Sequence, residues 1–181
     1  LDSQTRIPAI EKHGAWYYNF WKDAQHPRGV WRRTTLAEYR NVEPAWDVVL
    51  DLDALAAAEE ANWVWHSAEF LRPACRRCLV RLSRGGADAH VVREFDVDAR
   101  AFVADGFAVP EAKSNVHWRD EDSLFVATDF GAGSMTTSGY PRVVKRWPGR
   151  PPFAAAATVF EKLLAHTAEP PPSVAATRLD V

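Results

Sequence analysis

The chain keeps breaking into short runs in which bulky apolar and polar residues alternate, and a side-chain period of two marks half-buried β-strands. The runs are AWYYNFW (15–21), GVWRRTT (29–35), WDVVLDL (46–52), NWVWHSAEF (62–70), RCLVRLS (77–83), AHVVREFDV (89–97), SNVHWRD (114–120), SLFVATDF (123–130) and RVVKRW (142–147). They are rich in aromatic and β-branched residues and bounded by Pro-, Gly- and Asp-containing turns. The Gly-Gly pair of SRGGADA (83–89) predicts a hairpin turn. Helix signals are sparse. LDALAAAEEA (52–61) has the Ala and Glu content for a turn or two, or for an extended loop. AAAATVFEKLLAH (154–166) spaces Val159, Phe160, Leu163 and Leu164 helically between prolines, although its ATVFE also reads as a strand. The Pro- and Ala-rich end, within 162–181, predicts a disordered tail.

A weak repeat organises the strands. LDLDA (50–54) returns as FDVDA (95–99), and CLVRLS (78–83) is matched in character by LFVATD (124–129). A period of about 45 residues carrying four strands is how a β-propeller blade looks in sequence. The expected fold is all-β: a partial β-propeller of about three four-stranded antiparallel blades over 1–161, the first incomplete for want of an inner strand. That frame decides the reading of YYNFWKDAQHPRGVWRRTTLAEYR (17–40), where aromatics and arginines crowd together. The aromatics become strand residues packed between blades, with the arginines alternating on an exposed face. Nucleic-acid binding is disfavoured, because the net charge is −2 and acidic stretches offset the basic ones.

Laid out as blades, the chain resembles the N-terminal propeller of the prolyl oligopeptidase family of serine peptidases, in its bacterial branch. The segments that carry this are 17–40, EPAWDVVLDLDALA, NWVWH, LSRGGADAHVVREFD and TDFGAGSMTTSGYPRVVKRW. The resemblance implies a propeller over the mouth of an α/β-hydrolase domain, admitting small peptides cut after proline or a related residue. It implies peptide substrate as the partner, met through that domain. No serine of this sequence lies in the G-x-S-x-G elbow that such a hydrolase needs. GAGSM (131–135) comes nearest, in a glycine-rich loop between strands. The chain therefore reads as a fragment without catalytic residues, from which no catalysis is expected.

The resemblance also implies that Lys113, with Ser114, faces the active-site chamber where better-known members carry an aromatic residue. A lysine there would favour an acidic or carboxylate-bearing peptide end; the plainer alternative is a solvated lysine at a strand start. Tyr140 and Arg142, in the long loop 128–142, are the other residues expected to face substrate.

The remaining motifs read as structural. Cys75 and Cys78 have C-x-x-C spacing, but a zinc site needs about four ligands and a redox dithiol a helix N-terminus. Histidines 13, 26, 66, 90, 117 and 166 show no ligand spacing, with His66 and His117 placed toward the channel. The acids of RDEDS (119–123) and DLDALAAAEE (51–60) read as turn and surface carboxylates. No cofactor and no metal are expected. No apolar run reaches the ~20 residues that cross a bilayer, and the opening LDSQTRIPAIEKHG lacks a signal peptide's apolar centre, so a cytoplasmic location is the expectation. Open blade faces predict a homo-oligomer. The alternative reading is a free-standing β-rich module that binds protein or peptide at an open strand edge.

Overall fold

The structure is a computed structural model and describes residues 9–149, 153 and 156–161. Three antiparallel sheets follow one another along the chain. The first orders β1 (Glu11–His13), β2 (Trp16–Trp21), β3 (Val30–Thr34) and β4 (Asp47–Asp51). The second orders β5 (Trp63–Phe70), β6 (Arg77–Arg84) and β7 (His90–Asp96), with β8 (Ala101–Phe102) and β9 (Ala108–Ala112) both paired to β7. The third orders β10 (Asn115–Asp120), β11 (Ser123–Ala127), β12 (Val143–Pro148) and β13 (Ala157–Glu161). Two short helices, α1 (Leu36–Tyr39) and α2 (Leu52–Ala58), are capped by the side chains of Thr35 and Asp51, which accept from backbone N–H groups of their first turns.

The expected architecture stands, with three local corrections. The first sheet has an inner strand after all, the three residues of β1. The outer strand of the second sheet begins with only the two residues of β8 and continues, after a break, in β9, which sequence reading did not place. Helical spacing over 154–166 is overridden where that segment is described, because Phe160 and Thr158 pair with Val144 and Lys145 of β12. The expected tail lies outside the described residues.

Aromatic packing joins the first two sheets. Trp16, Tyr18 and Phe20 point from β2 toward the second sheet, with Tyr18 stacked on Trp31 at 5.1 Å and Phe20 on Trp65 at 5.3 Å. Burying such a ring contributes roughly 1.5–3 kcal/mol. The arginines do not simply face solvent. Arg32 lies between the Trp21 and Trp46 rings, 4.5 and 4.3 Å from their centroids. Arg33 shares the inward face of β3 with Trp31, opposite Tyr18 of β2, where it lies against Trp16 and is 7% exposed. It pairs with Asp47 at 3.1 Å and reaches Asp98 of the second sheet at 3.4 Å.

A second apolar cluster joins the second and third sheets: Leu79, Val92, Phe107 and Val109 against Val116, Leu124, Val126 and Trp147. Glu69 fastens the same seam. Its carboxylate accepts from Arg81 at 2.8 Å, from His117 at 3.0 Å and from the Trp118 amide at 3.3 Å, while Arg81 also donates to the Val116 carbonyl. Buried Glu94 holds the break between β8 and β9. It pairs with Arg77 at 3.1 Å and accepts from the Phe107 amide at 3.0 Å. A Cβ on Gly106 would come within 2.9 Å of the Glu94 side chain, so that turn requires glycine.

Candidate functional site

The connection from β9 to β10 is only two residues, Lys113 and Ser114, and a pocket of about 310 Å³ opens beside it. His66, Asp88, His90, Tyr140 and Pro141 complete most of its wall, with Asn115. Each arrives by a distinct local device. His66 is the extra residue where the β5–β6 register shifts between Trp65 and Ser67, and such bulges re-aim a side chain. Asp88 and His90 follow the Gly85–Gly86 turn, whose φ angles of +64° and +84° suit glycine. Tyr140 and Pro141 end the long loop, which is pinned by the Met135–Pro141 bridge.

The His66 and His90 rings stack with centroids 4.9 Å apart. His90 Nδ1 lies 3.3 Å from the Asp88 backbone oxygen, and Nε2 lies 3.4 Å from Ser114 Oγ. A carbonyl only accepts, so the neutral ring carries its proton on Nδ1 and takes a hydrogen bond from Ser114 at Nε2. Burial is the chief reason that the His90 pKa lies below the usual imidazole value. The hydrogen bond with Asp88 pushes back, and nearby His66 and Arg81 add to the lowering. Lys113 Nζ stands 3.4 Å from Asp88 Oδ2 and 4.7 Å from the centre of the Tyr140 ring.

The structure thus brings together Lys113, Ser114 and Tyr140 of the expected substrate-facing residues. Arg142 is not among the pocket-lining residues; its amide donates to the Ser134 carbonyl at 2.9 Å. His66 and His90 were missed as site residues, since they sit 24 positions apart on strands separated by β6 and no local spacing links them.

Serine chemistry does not assemble here. Ser114 beside His90 has the outline of a nucleophile and base, but Ser114 is 7% exposed and the group orienting the histidine is an uncharged carbonyl. Ser134 of GAGSM is tied into its own turn, donating to the Gly131 carbonyl at 2.7 Å and accepting from the Phe130 amide at 2.8 Å. Cys78 is fully buried, and burial pushes its thiol pKa well up, as befits a structural cysteine. Among the described residues no group of three or more His, Cys, Asp or Glu is placed to hold a metal ion.

Antiparallel meanders stacked face to face, each passing from its outer strand to the inner strand of the next, are the blades of a β-propeller. The chain belongs to the prolyl oligopeptidase family, matching its N-terminal β-propeller domain over residues 1–161. It is 47% identical over 127 residues to an uncharacterized peptidase of Sinorhizobium fredii, covering 70% of this chain and 18% of that one. An uncharacterized peptidase of Rickettsia prowazekii is 28% identical over 168 residues, covering 88% of this chain and 23% of that one. Among solved structures, a post-proline cleaving enzyme from Rickettsia typhi superposes with a TM-score of 0.83 at 27% identity, covering 88% of this chain and 24% of that one. Oligopeptidase B from Leishmania major shares the fold, with a TM-score of 0.65 at 14% identity over 86% of this chain and 21% of that one. The chain therefore spans only about a fifth of the length of the curated relatives it matches.

Proposed function

We propose that this chain serves as the propeller segment of a prolyl-oligopeptidase-like serine peptidase, limiting which peptides reach a hydrolase domain while doing no bond cleavage itself. The observation that supports this reading most is the match of residues 1–161 to that propeller domain. The lack of any G-x-S-x-G elbow in the sequence and the tied-down state of Ser114 and Ser134 support the non-catalytic part. Peptides would be met at the blade face that carries Lys113, Ser114 and Tyr140, the loops of a rigid scaffold being where such contacts concentrate.

Two arms test it. The purified chain should neither hydrolyse a chromogenic prolyl peptide nor take up a fluorophosphonate label. Grafted in place of the matching segment of the Rickettsia typhi enzyme, residues 9–161 should leave short-peptide cleavage intact and long unfolded chains uncut. Label-sensitive turnover by the chain alone would overturn the first part, and ready cleavage of reduced casein by the chimera the second.

A further inference from the structure

We propose that the pocket between the second and third blades, framed by His66, His90, Lys113 and Tyr140, is a carboxylate site that seats the end or an acidic side chain of a peptide. This rests on the reading above that peptides pass this face.

The molecule already shows the chemistry. Asp88, whose side chain is 79% exposed, sets its own carboxylate 3.4 Å from Lys113 Nζ. An ion pair with so exposed a partner is weak and readily exchanged. The lysine end is unlike a solvated one: its side chain is only 32% exposed, and the ammonium rests against the Tyr140 ring. Restraining a long side chain beforehand removes much of the entropy that binding would otherwise lose. An ammonium has three N–H donors, so one acceptor at Asp88 does not exhaust it. The stacked imidazoles offer a flat wall beside this anchor, and Asn115 a further amide. A volume of about 310 Å³ lies at the small end of ligand pockets, enough for one or two residues rather than a folded partner. Since burial keeps His90 neutral near pH 7, the cation that a carboxylate meets there is Lys113.

The test is an amide-resolved NMR titration of the chain with N-acetyl-Ala-Pro as the free acid, with its C-terminal amide, and with an amidated peptide carrying one Glu. The acid should bind in the millimolar range and shift the Ser114, Asn115 and His90 amides. The plain amide, and the acid on a Lys113→Met variant, should each bind roughly fivefold more weakly, as expected for one part-exposed ion pair. Asp88→Asn should tighten binding about twofold by removing the competitor. Binding of the Glu peptide like the acid assigns the site to any carboxylate, and its failure to bind assigns the site to the chain terminus. Equal binding of acid and amide, weaker binding by Asp88→Asn, shifts confined to other surfaces, or no shifts at 20 mM would each overturn the assignment. Unchanged β11 amides check that Lys113→Met is folded. The chimera does not depend on this pocket, so its size selection can survive such a result, and the two readings fail separately.

Discussion

Glu69→Ala should loosen the seam between the second and third blades measurably. The Glu69 carboxylate takes Arg81, His117 and the Trp118 amide together, and it does so across two inner strands that share no ladder. Truncation leaves the Arg81 guanidinium, on a side chain 11% exposed, without its counter-charge. Breaking a fully buried pair costs about 3–5 kcal/mol. The Glu69 side chain is 29% exposed, so water reaches part of the gap, and a loss of about 2–3 kcal/mol is expected. At roughly 2–4 °C per kcal/mol for a chain of this size, Tm should fall by about 5–10 °C. Thermal unfolding followed by tryptophan fluorescence reads the loss, and hydrogen exchange at the Trp118 amide locates it. His117→Ala is the control: its side chain is 64% exposed, and the change should stay under about 0.5 kcal/mol. A Glu69→Ala midpoint within about 2 °C of the parent, or undiminished protection at Trp118, would refute the idea that this carboxylate fastens the blades.

Acid should destabilise the fold in two stages. His90 has a lowered pKa in the folded chain, so as pH falls below about 6.5 the unfolded chain takes up its proton first and stability drops, levelling once the folded form protonates too. Asp96 brings a later loss below about pH 4, since its lowered pKa, won by the Ala99 and Asp98 amides and by Arg76 against burial, marks stability present above the unfolded value and lost beneath it. Urea midpoints at pH 7, 6 and 5 should decline for the parent and much less for His90→Asn; parallel declines would remove His90 as the source. Thiol labelling should distinguish the cysteines, with half-buried Cys75 modified by iodoacetamide in the native chain and Cys78 only after unfolding. Equal native labelling of both would contradict the burial of Cys78.

The strands were readable because alternation is a local property, and so was the Gly85–Gly86 turn. What escaped depends on distant partners. β1 is three residues, too short to show a period, and exists because Tyr17 and Tyr18 offer it a ladder. β9 contains Pro110 and is cut off from β8 by the turn that Glu94 holds, a tertiary cause invisible along the chain. Arg33 looked like a surface residue, yet alternation sets it on the face of Trp31, and only the second sheet packed there, with Asp98 in reach, makes that face the inner one. In the site, Lys113 and Ser114 were marked through family resemblance and Tyr140 through its long loop, whereas pairing His66 with His90 needs a bulge in β5 and the width of a sheet.

The short connection between β9 and β10 has a mechanical side. Blades one and two are joined in the chain through the helix α2, but blades two and three are joined by Lys113 and Ser114 alone. Two residues stretch to at most about 7 Å, so this joint has almost no slack to pay out. The joint sits beside the pocket, with His66 and His90 on the blade before it and Tyr140 on the blade after it. The pocket's walls therefore come from two blades whose spacing on that side is set by a joint of two residues, so its width is fixed by the chain's own reach as much as by side-chain packing.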